Sequence, residues 1–193
     1  MAWDTAKTKQ SLLDAAVQEF AEYGPQGARV DRIAKLAGVN KERIYQYFGN
    51  KEQLFGHVID QELAKVMAAV SPDPEQCDDL GEYAGRLYDW HTENPRFLRL
   101  LRWEGLLPGE DSTVMEAERT AHYAEKIATL RRAQQAGTVT DAVAPQHLLY
   151  AVYALAAWWF AVPRVIAMMM ADLPDDGPAA HRAALVQLVR RLG

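Results

Sequence analysis

A short polar segment near the N-terminus carries side chains able to read base-pair edges, namely Lys41, Glu42, Arg43, Tyr45 and Gln46. Gln pairs with adenine, Arg pairs with guanine, and Glu accepts a hydrogen bond from the amino group of cytosine. If Ile44 and Phe48 anchor this segment as a helix, a step of about 100° per residue points Glu42 and Gln46 away from the anchors. The spacing predicts an outward face suited to the major groove of DNA.

Patterns for catalysis or metal binding are few elsewhere. Glu118 and His122 are four residues apart, like two ligands of some metal sites, but no second Glu/His pair, HExxH or CxxC accompanies them. There is no GxSxG, no glycine-rich phosphate loop, and no convincing histidine partner for the single cysteine, Cys77. We therefore expect neither an enzyme nor a metal or other cofactor.

The polar segment needs two short helices to position it. Apolar residues recur at helical spacing from Val30 to Ala37, and Gly38 is suited to end that helix in a left-handed conformation. Val39 can fill the space between the helices, and Asn40 is a suitable N-cap for the second one. This layout predicts a helix-turn-helix.

The rest of the chain also shows helical periodicity, and strand signals are nearly absent. A first helix should stop at Gly24-Pro25, and Asn50 with Gln53 resembles a capping box that starts a fourth helix, which should end at Ser71-Pro72-Asp73-Pro74. Later helices fit residues 80–93, 95–107, 113–135, 145–172 (kinked or broken at Pro163) and 178–192. We predict an all-α protein of about nine helices, with a three-helix DNA-binding domain over residues 1–50 and a helical bundle over residues 51–193.

Charge is distributed unevenly along the chain. The net charge is −5, yet residues 29–51 hold six basic side chains against two acidic ones. A basic patch on an acidic body suits a protein that touches phosphate with one end only. The first residues lack the basic stretch and apolar run of a signal peptide, so we expect a cytoplasmic protein.

The almost wholly apolar run over residues 148–170 approaches the length of a bilayer span. Pro163 and Arg164 interrupt it, and much of the run is alanine, which drives insertion weakly. We expect a helix buried in a bundle or a subunit interface, without membrane association.

Several parts of this pattern resemble the signature of the tetracycline-repressor (TetR) family. They are Ile33-Ala34, Ala37-Gly38-Val39, Ile44-Tyr45-Gln46-Tyr47-Phe48 and Asn50-Lys51-Glu52-Gln53-Leu54, preceded by Phe20 and Tyr23-Gly24. The match covers roughly residues 8–60, and beyond Ser71 only helical character and chain length agree. The resemblance implies a dimeric repressor that binds a palindromic operator and is released by a small molecule bound in the C-terminal domain.

The resemblance also implies which residues meet double-stranded DNA. The predicted set is Arg29, Asp31, Arg32, Asn40, Lys41, Glu42, Arg43, Tyr45, Gln46, Tyr47 and Lys51. Tyr45, Tyr47 and Lys51 would touch phosphates, although Tyr47 lies on the inward side and could be mostly core with only its hydroxyl reaching out. Arg29 departs from the Thr or Ser usual at its position. Asp31 and Glu42 bring negative charge near DNA, which favours selectivity over general affinity.

The helical body contains aromatic and ionisable residues that could be ordinary core or could line an effector pocket. For the pocket we predict Trp90, Trp103, Tyr123 and Trp158 as walls, with His122 or Glu104 as polar anchors.

The last two long helices carry apolar surfaces that are either core or, as the resemblance implies, a four-helix interface of a homodimer. Two alternatives remain at this point. One is a DNA-binding regulator controlled by a protein partner, and the other is a helical enzyme or carrier with an incidental helix-turn-helix.

Overall fold

The computed structural model describes residues 2–70, 79–107, 116–174 and 177–192, and every regular element in those ranges is a helix. The helices are α1 (Ala2–Gly27), α2 (Val30–Ala37), α3 (Glu42–Phe48), α4 (Lys51–Ala69), α5 (Leu80–Glu93), α6 (Phe97–Glu104), α7 (Glu116–Ala136), α8 (Pro145–Ala161), α9 (Pro163–Met169) and α10 (Gly177–Leu192). The all-α prediction is confirmed. The described ranges hold ten helices because the chain breaks at Pro163. The predicted helix end at residues 71–74, the start of the predicted helix at residue 113, and Cys77 lie outside the described residues.

The contacts divide the chain into two compact units. The first comprises residues 1–65 and 96–116, and the second comprises residues 66–95 and 117–193. The sequence-based boundary at residue 50 remains a prediction.

The core of the first unit is built where α1 meets the short helices and the start of α4. Phe20 and Phe55 are buried with their rings edge to face, 5.1 Å apart. Ile33, Ala34, Ile44 and Phe48 are buried as predicted, whereas Val30 and Val39 are half-buried. The periodicity of the sequence therefore located the inward faces of α2 and α3 correctly.

Three helix ends in the first unit follow from local chemistry. Gly38 adopts φ 68°, and Val39 N–H donates to the carbonyl of Ala34, so the predicted turn is confirmed. The Asn50 side chain accepts the backbone N–H of Gln53 at 2.7 Å, and the Gln53 side chain accepts the backbone N–H of Asn50 at 3.2 Å, which confirms the capping box. The predicted stop at Gly24-Pro25 is confirmed, because Gly24 has non-helical backbone angles (φ 68°, ψ 171°) and interrupts α1. The short segment that follows begins at Pro25, which suits the first turn of a helix, and ends at Gly27.

The predicted role of Asn40 as N-cap of the second motif helix is wrong. Lys41 occupies the N-cap of α3, and its side chain caps no backbone N–H. The Asn40 main-chain carbonyl instead accepts the N–H of Arg43 at 3.1 Å. A tight turn thus uses the backbone of Asn40 and leaves its exposed side chain at the surface.

The second unit is organised by close packing of α5 on α10. Gly81 and Gly85, one helical turn apart, face α10. A Cβ placed on Gly81 would lie 2.5 Å from the carbonyl oxygen of Val186, and one on Gly85 would lie 3.0 Å from the Val186 Cγ2. The absence of two side chains lets the two helix backbones approach each other.

Ion pairs flank this glycine contact. Arg182 Nε lies 2.9 and 2.8 Å from the two carboxylate oxygens of Asp89, and Arg190 Nη2 lies 2.6 Å from Asp79. The hydrogen bond from Arg190 lowers the pKa of Asp79, whose carboxylate also caps α5 by accepting Glu82 N–H at 3.1 Å. The glycines thus allow α5 and α10 to lie close together, and these ion pairs fix the position of one helix along the other.

The long apolar run forms α8 and α9, which meet at an angle of 94°. Across the described ranges no single helix is long and apolar enough to cross a membrane. Only α8 and α9 taken together have sufficient length and apolar composition, and they are bent relative to each other.

Candidate nucleic-acid interface

The outer face of α3 presents the predicted base-reading side chains to solvent. Glu42, Arg43, Tyr45 and Gln46 are exposed, and Tyr45 is 53% exposed although its neighbour Ile44 is fully buried. Arg43 Nη1 donates to the side-chain oxygen of Gln46 at 2.8 Å, which holds a guanidinium and an amide side by side. This pair offers both donor and acceptor groups to a base edge.

Lys41 and Asp31 join α3 to α2 at the edge of that face. The Lys41 Nζ lies 3.2 Å from the Asp31 carboxylate, and both side chains are exposed. The hydrogen bond that Lys41 donates to the Asp31 carboxylate raises the pKa of Lys41. The carboxylate therefore offsets part of the basic patch at this edge.

A buried carboxylate that sequence reasoning missed organises the start of α2. Glu19, 7% exposed, accepts the backbone N–H of Arg29 at 2.8 Å and the Nε of Arg32 at 2.7 Å. Arg29 is the N-cap of α2 and its own side chain makes no capping bond. Glu19 thus supports a helix start that lacks a Ser or Thr cap. The signal available in the sequence was an acidic residue beside Phe20 on the inward face of α1.

Arg32 is held by three groups of the first unit. Besides Glu19, its guanidinium donates to the carbonyl of Gly27 at 2.9 Å and lies over the Tyr23 ring at 4.2 Å. The hydrogen bond that Arg32 donates to the Glu19 carboxylate raises the pKa of Arg32. The structure therefore places Arg32 at the junction of α1 and α2, with its charge partly compensated there.

The two remaining predicted phosphate contacts are half-buried. Lys51 Nζ donates to the carbonyls of Gln26 and Ala28, each at 3.3 Å, at the end of α1. The Tyr47 ring lies 5.4 Å from Lys9 Nζ and 5.9 Å from the Arg43 guanidinium. Two cationic side chains therefore lie near the Tyr47 ring.

The predicted pocket residues are divided between the two units. In the first unit, Trp103 packs against Gly24, where a Cβ would lie 2.9 Å from its ring. Glu104 also belongs to this unit. In the second unit, Trp90 is buried beside His91, whereas Trp158 is more than half exposed on α8. The His122 and Tyr123 rings are 6.1 Å apart, and Tyr123 lies 6.1 Å from Tyr153.

A polar cluster in the second unit also escaped sequence reasoning. Lys126, 4% exposed, donates from Nζ to the Tyr153 hydroxyl at 2.6 Å, and that hydroxyl shares a hydrogen bond of 3.1 Å with the Tyr83 hydroxyl. Burial raises the pKa of Tyr153 well above its usual range. The available signal was a lysine on the same helical stripe as buried Leu130 and Ala133.

The outer surfaces of α8 and α10 carry large exposed apolar side chains. Tyr150 and Trp158 lie two helical turns apart on α8, and Leu188 and Leu192 lie one turn apart on α10. Tyr150 is 73% exposed and Leu188 is 58% exposed. We call these four residues the apolar stripe. Beside α8, a cleft of about 600 Å³ is lined mainly by apolar residues of α9, of the segment that follows it and of α10, with His181 stacked on Trp159.

Within the described ranges, no group of three or more His, Cys, Asp or Glu side chains is arranged to hold a metal ion. Glu118 is exposed and His122 is half-buried.

Comparison with known proteins gives matches over nearly the whole chain. Residues 12–58 match the family model "Bacterial regulatory proteins, tetR family", and residues 79–191 match "Tetracyclin repressor-like, C-terminal domain". The HTH-type transcriptional repressor SCO4008 of Streptomyces coelicolor is 39% identical over 191 residues, covering 99% of this chain and 97% of that protein. The HTH-type transcriptional regulator RutR of Escherichia coli K12 is 30% identical over 175 residues, covering 87% and 81% of the two chains. The crystal structure of a transcriptional regulator, SCO4942 of S. coelicolor, superposes with a TM-score of 0.84 at 37% identity and covers 96% and 97% of the two chains.

Proposed function

Because this chain belongs to the TetR family of bacterial transcriptional regulators, we propose that it is a homodimeric repressor of a palindromic operator and is released by a small-molecule effector. The observation that carries the proposal is the α3 surface. Its polar side chains are exposed, and Ile44 and Phe48 anchor the helix from below. A helix held in this way can enter a major groove without losing its packing.

The residue assignments extend this proposal. Arg43, Tyr45 and Gln46 contact bases or the adjacent backbone, and Lys51 and Tyr47 contact phosphates. Lys51 then exchanges its carbonyl partners at Gln26 and Ala28 for a phosphate, which carries a full negative charge.

Dimerisation is supported by the apolar stripe on α8 and α10. Large apolar side chains that are about half exposed or more, on two adjacent helices, are typical of a surface that another subunit covers. A two-fold axis through this surface would match the symmetry of a palindromic operator. Bacterial DNA lies in the cytoplasm, so the protein would act there. Its relatives are transcriptional regulators, which supports a role as a regulator and not as an enzyme.

The test is a titration against the intergenic DNA upstream of the protein's own gene, at near-physiological salt with unrelated DNA as competitor. We expect saturable nanomolar binding that survives the competitor. Tyr45→Phe and Lys51→Ala should each weaken it several-fold, whereas Arg131→Ala, an exposed charge on α7, should not. The proposed function is wrong if the intergenic DNA is not bound specifically and a selection from random DNA sequences also yields no preferred site. If Tyr45→Phe and Lys51→Ala bind like the wild type, the contact assignment is wrong.

A further inference from the structure

Two side chains on the outer face of α3 are joined to each other. Arg43 Nη1 donates a hydrogen bond of 2.8 Å to Gln46 Oε1, and residues at this spacing are neighbours on a helix surface. The Arg43 guanidinium also lies 5.9 Å from the centroid of the Tyr47 ring. Two side chains of the next helical turn therefore orient this guanidinium on the exposed face.

No carboxylate compensates the charge of Arg43. Within the described ranges Arg43 forms no ion pair, whereas the Lys41 Nζ lies 3.2 Å from the Asp31 carboxylate at the edge of the same face. Glu42 is adjacent to Arg43 in sequence, but consecutive side chains of a helix point about 100° apart. Arg43 therefore brings a full positive charge to the face that would meet DNA.

Hydrogen-bond donors outnumber acceptors in the Arg43–Gln46 pair. A guanidinium has five N–H donors and no acceptor, and the hydrogen bond to Gln46 uses one of those donors. The Gln46 amide keeps both of its N–H donors, while its oxygen gives one of two lone pairs to Arg43. The pair thus presents mainly donors, with one lone pair left as an acceptor.

Guanine has the major-groove edge that best matches such a pair. It offers two acceptors, O6 and N7, and arginine can bind both at once. Adenine offers one acceptor and one donor, cytosine offers a donor, and thymine offers one acceptor beside its methyl group. A glutamine that reads adenine accepts from the N6 amino group through its amide oxygen, and in Gln46 that oxygen already accepts from Arg43.

We propose that Arg43 and Gln46 form one recognition unit, in which Arg43 binds guanine and Gln46 positions the Arg43 guanidinium. This inference rests on the proposed function, because it names the base that the DNA-binding face reads. Each half-site of the operator then contains a G·C pair opposite Arg43. Gln46 specifies no adenine of its own and acts on base choice through Arg43.

The experiment begins with a selection of preferred sites from random DNA by the full-length wild-type protein. Affinities are then measured by fluorescence anisotropy for the selected site and for its single-base variants. We expect replacement of the guanine by adenine in both half-sites to weaken binding about tenfold or more. Replacement by 7-deazaguanine, which keeps base pairing but lacks the N7 acceptor, should also weaken binding. Arg43→Ala should bind the guanine and adenine sites about equally.

Gln46→Ala distinguishes a positioning residue from an independent reader. We expect this variant to reduce discrimination about fivefold at the same base pair that Arg43→Ala affects, and to leave the other preferences unchanged. In the Arg43→Ala protein the same substitution should have no further effect. Gln46→Glu keeps an acceptor for Arg43 and should retain the preference for guanine. Lys51→Ala is the control, because loss of a phosphate contact should weaken the guanine and adenine sites equally.

The inference is overturned if Gln46→Ala instead removes a preference for adenine at another base pair, or if it changes no preference. It is also overturned if Arg43→Ala still discriminates guanine from adenine, or if 7-deazaguanine binds like guanine. The 7-deazaguanine measurement uses the wild-type protein, and circular dichroism checks that each variant is folded. A specific site with no required G·C pair rejects this inference and leaves the proposed repressor intact. A selection that yields no preferred site rejects both.

Discussion

The substitution Gly81→Ala tests whether the second unit depends on direct contact between the backbones of α5 and α10. The new Cβ would lie 2.5 Å from the Val186 carbonyl oxygen and 2.6 Å from the Arg190 Cγ. The carbonyl is part of a helix and cannot rotate aside. The two helices must therefore separate by about 0.9 Å to reach ordinary van der Waals contact at 3.4 Å.

The expected loss of stability follows from two opposing effects. Overpacking a well-packed contact costs about 1–3 kcal/mol, whereas alanine is favoured over glycine in a helix by about 1 kcal/mol. We expect the free energy of unfolding to fall by about 1–2 kcal/mol, since the steric effect involves backbone. For a chain of this size the melting temperature should fall by roughly 2–8 °C.

Guanidinium and thermal unfolding, followed by circular dichroism at fixed protein concentration, measure this loss. Gly105→Ala is the matched control, because its Cβ would meet no atom closer than 3.6 Å. Gly85→Ala should fall between the two, since its nearest contact, 2.8 Å from Arg182 Nη2, is with a flexible side-chain end. A Gly81→Ala protein as stable as the Gly105→Ala protein would refute the reasoning.

Three further predictions address pH, the recognition motif and assembly. Burial lowers the pKa of His91 to about 4 from 6.5, so the unfolded chain binds more protons between these values. The free energy of unfolding should therefore fall by up to about 3 kcal/mol as pH decreases from 6.5 to 4, and in urea titrations His91→Leu should flatten this dependence. Glu19→Ala removes the acceptor at the start of α2 and should weaken operator binding about fivefold, from a cap loss of about 1 kcal/mol. Fluorescence anisotropy that shows unchanged affinity would contradict this role. Leu188→Asp places a charge in the apolar stripe, so in sedimentation velocity we expect a monomer for this variant and a dimer for the wild type.

Local chemistry explains why much of the DNA-binding motif could be predicted from the sequence. Gly38 and the Asn50–Gln53 pair determine their turns through contacts within a few residues. The burial of Ile44 and Phe48 follows from helical periodicity alone. In each case the sequence separation of the interacting groups is small, so a pattern of residue types is enough.

Contacts between distant residues account for what the sequence could not reveal. Glu19 reaches Arg29 and Arg32 across the packing of α1 on α2, and Lys126 meets Tyr153 across α7 and α8. Helical periodicity places Glu19 and Lys126 on inward faces, but it does not show which partners they meet there. The N-cap predicted at Asn40 is wrong for a different, local reason, because a backbone turn from Asn40 to Arg43 satisfies the start of α3 without the Asn40 side chain.

The glycine contact between α5 and α10 also bears on how motion spreads through the second unit. Helix α10 carries both the backbone that Gly81 touches and Leu188 and Leu192 of the apolar stripe. With no side chain between the backbones to yield, a shift of α5 along this contact is passed directly to α10. In the dimer proposed above, whose second subunit covers the apolar stripe, such a shift would reach the partner and would couple the conformations of the two subunits.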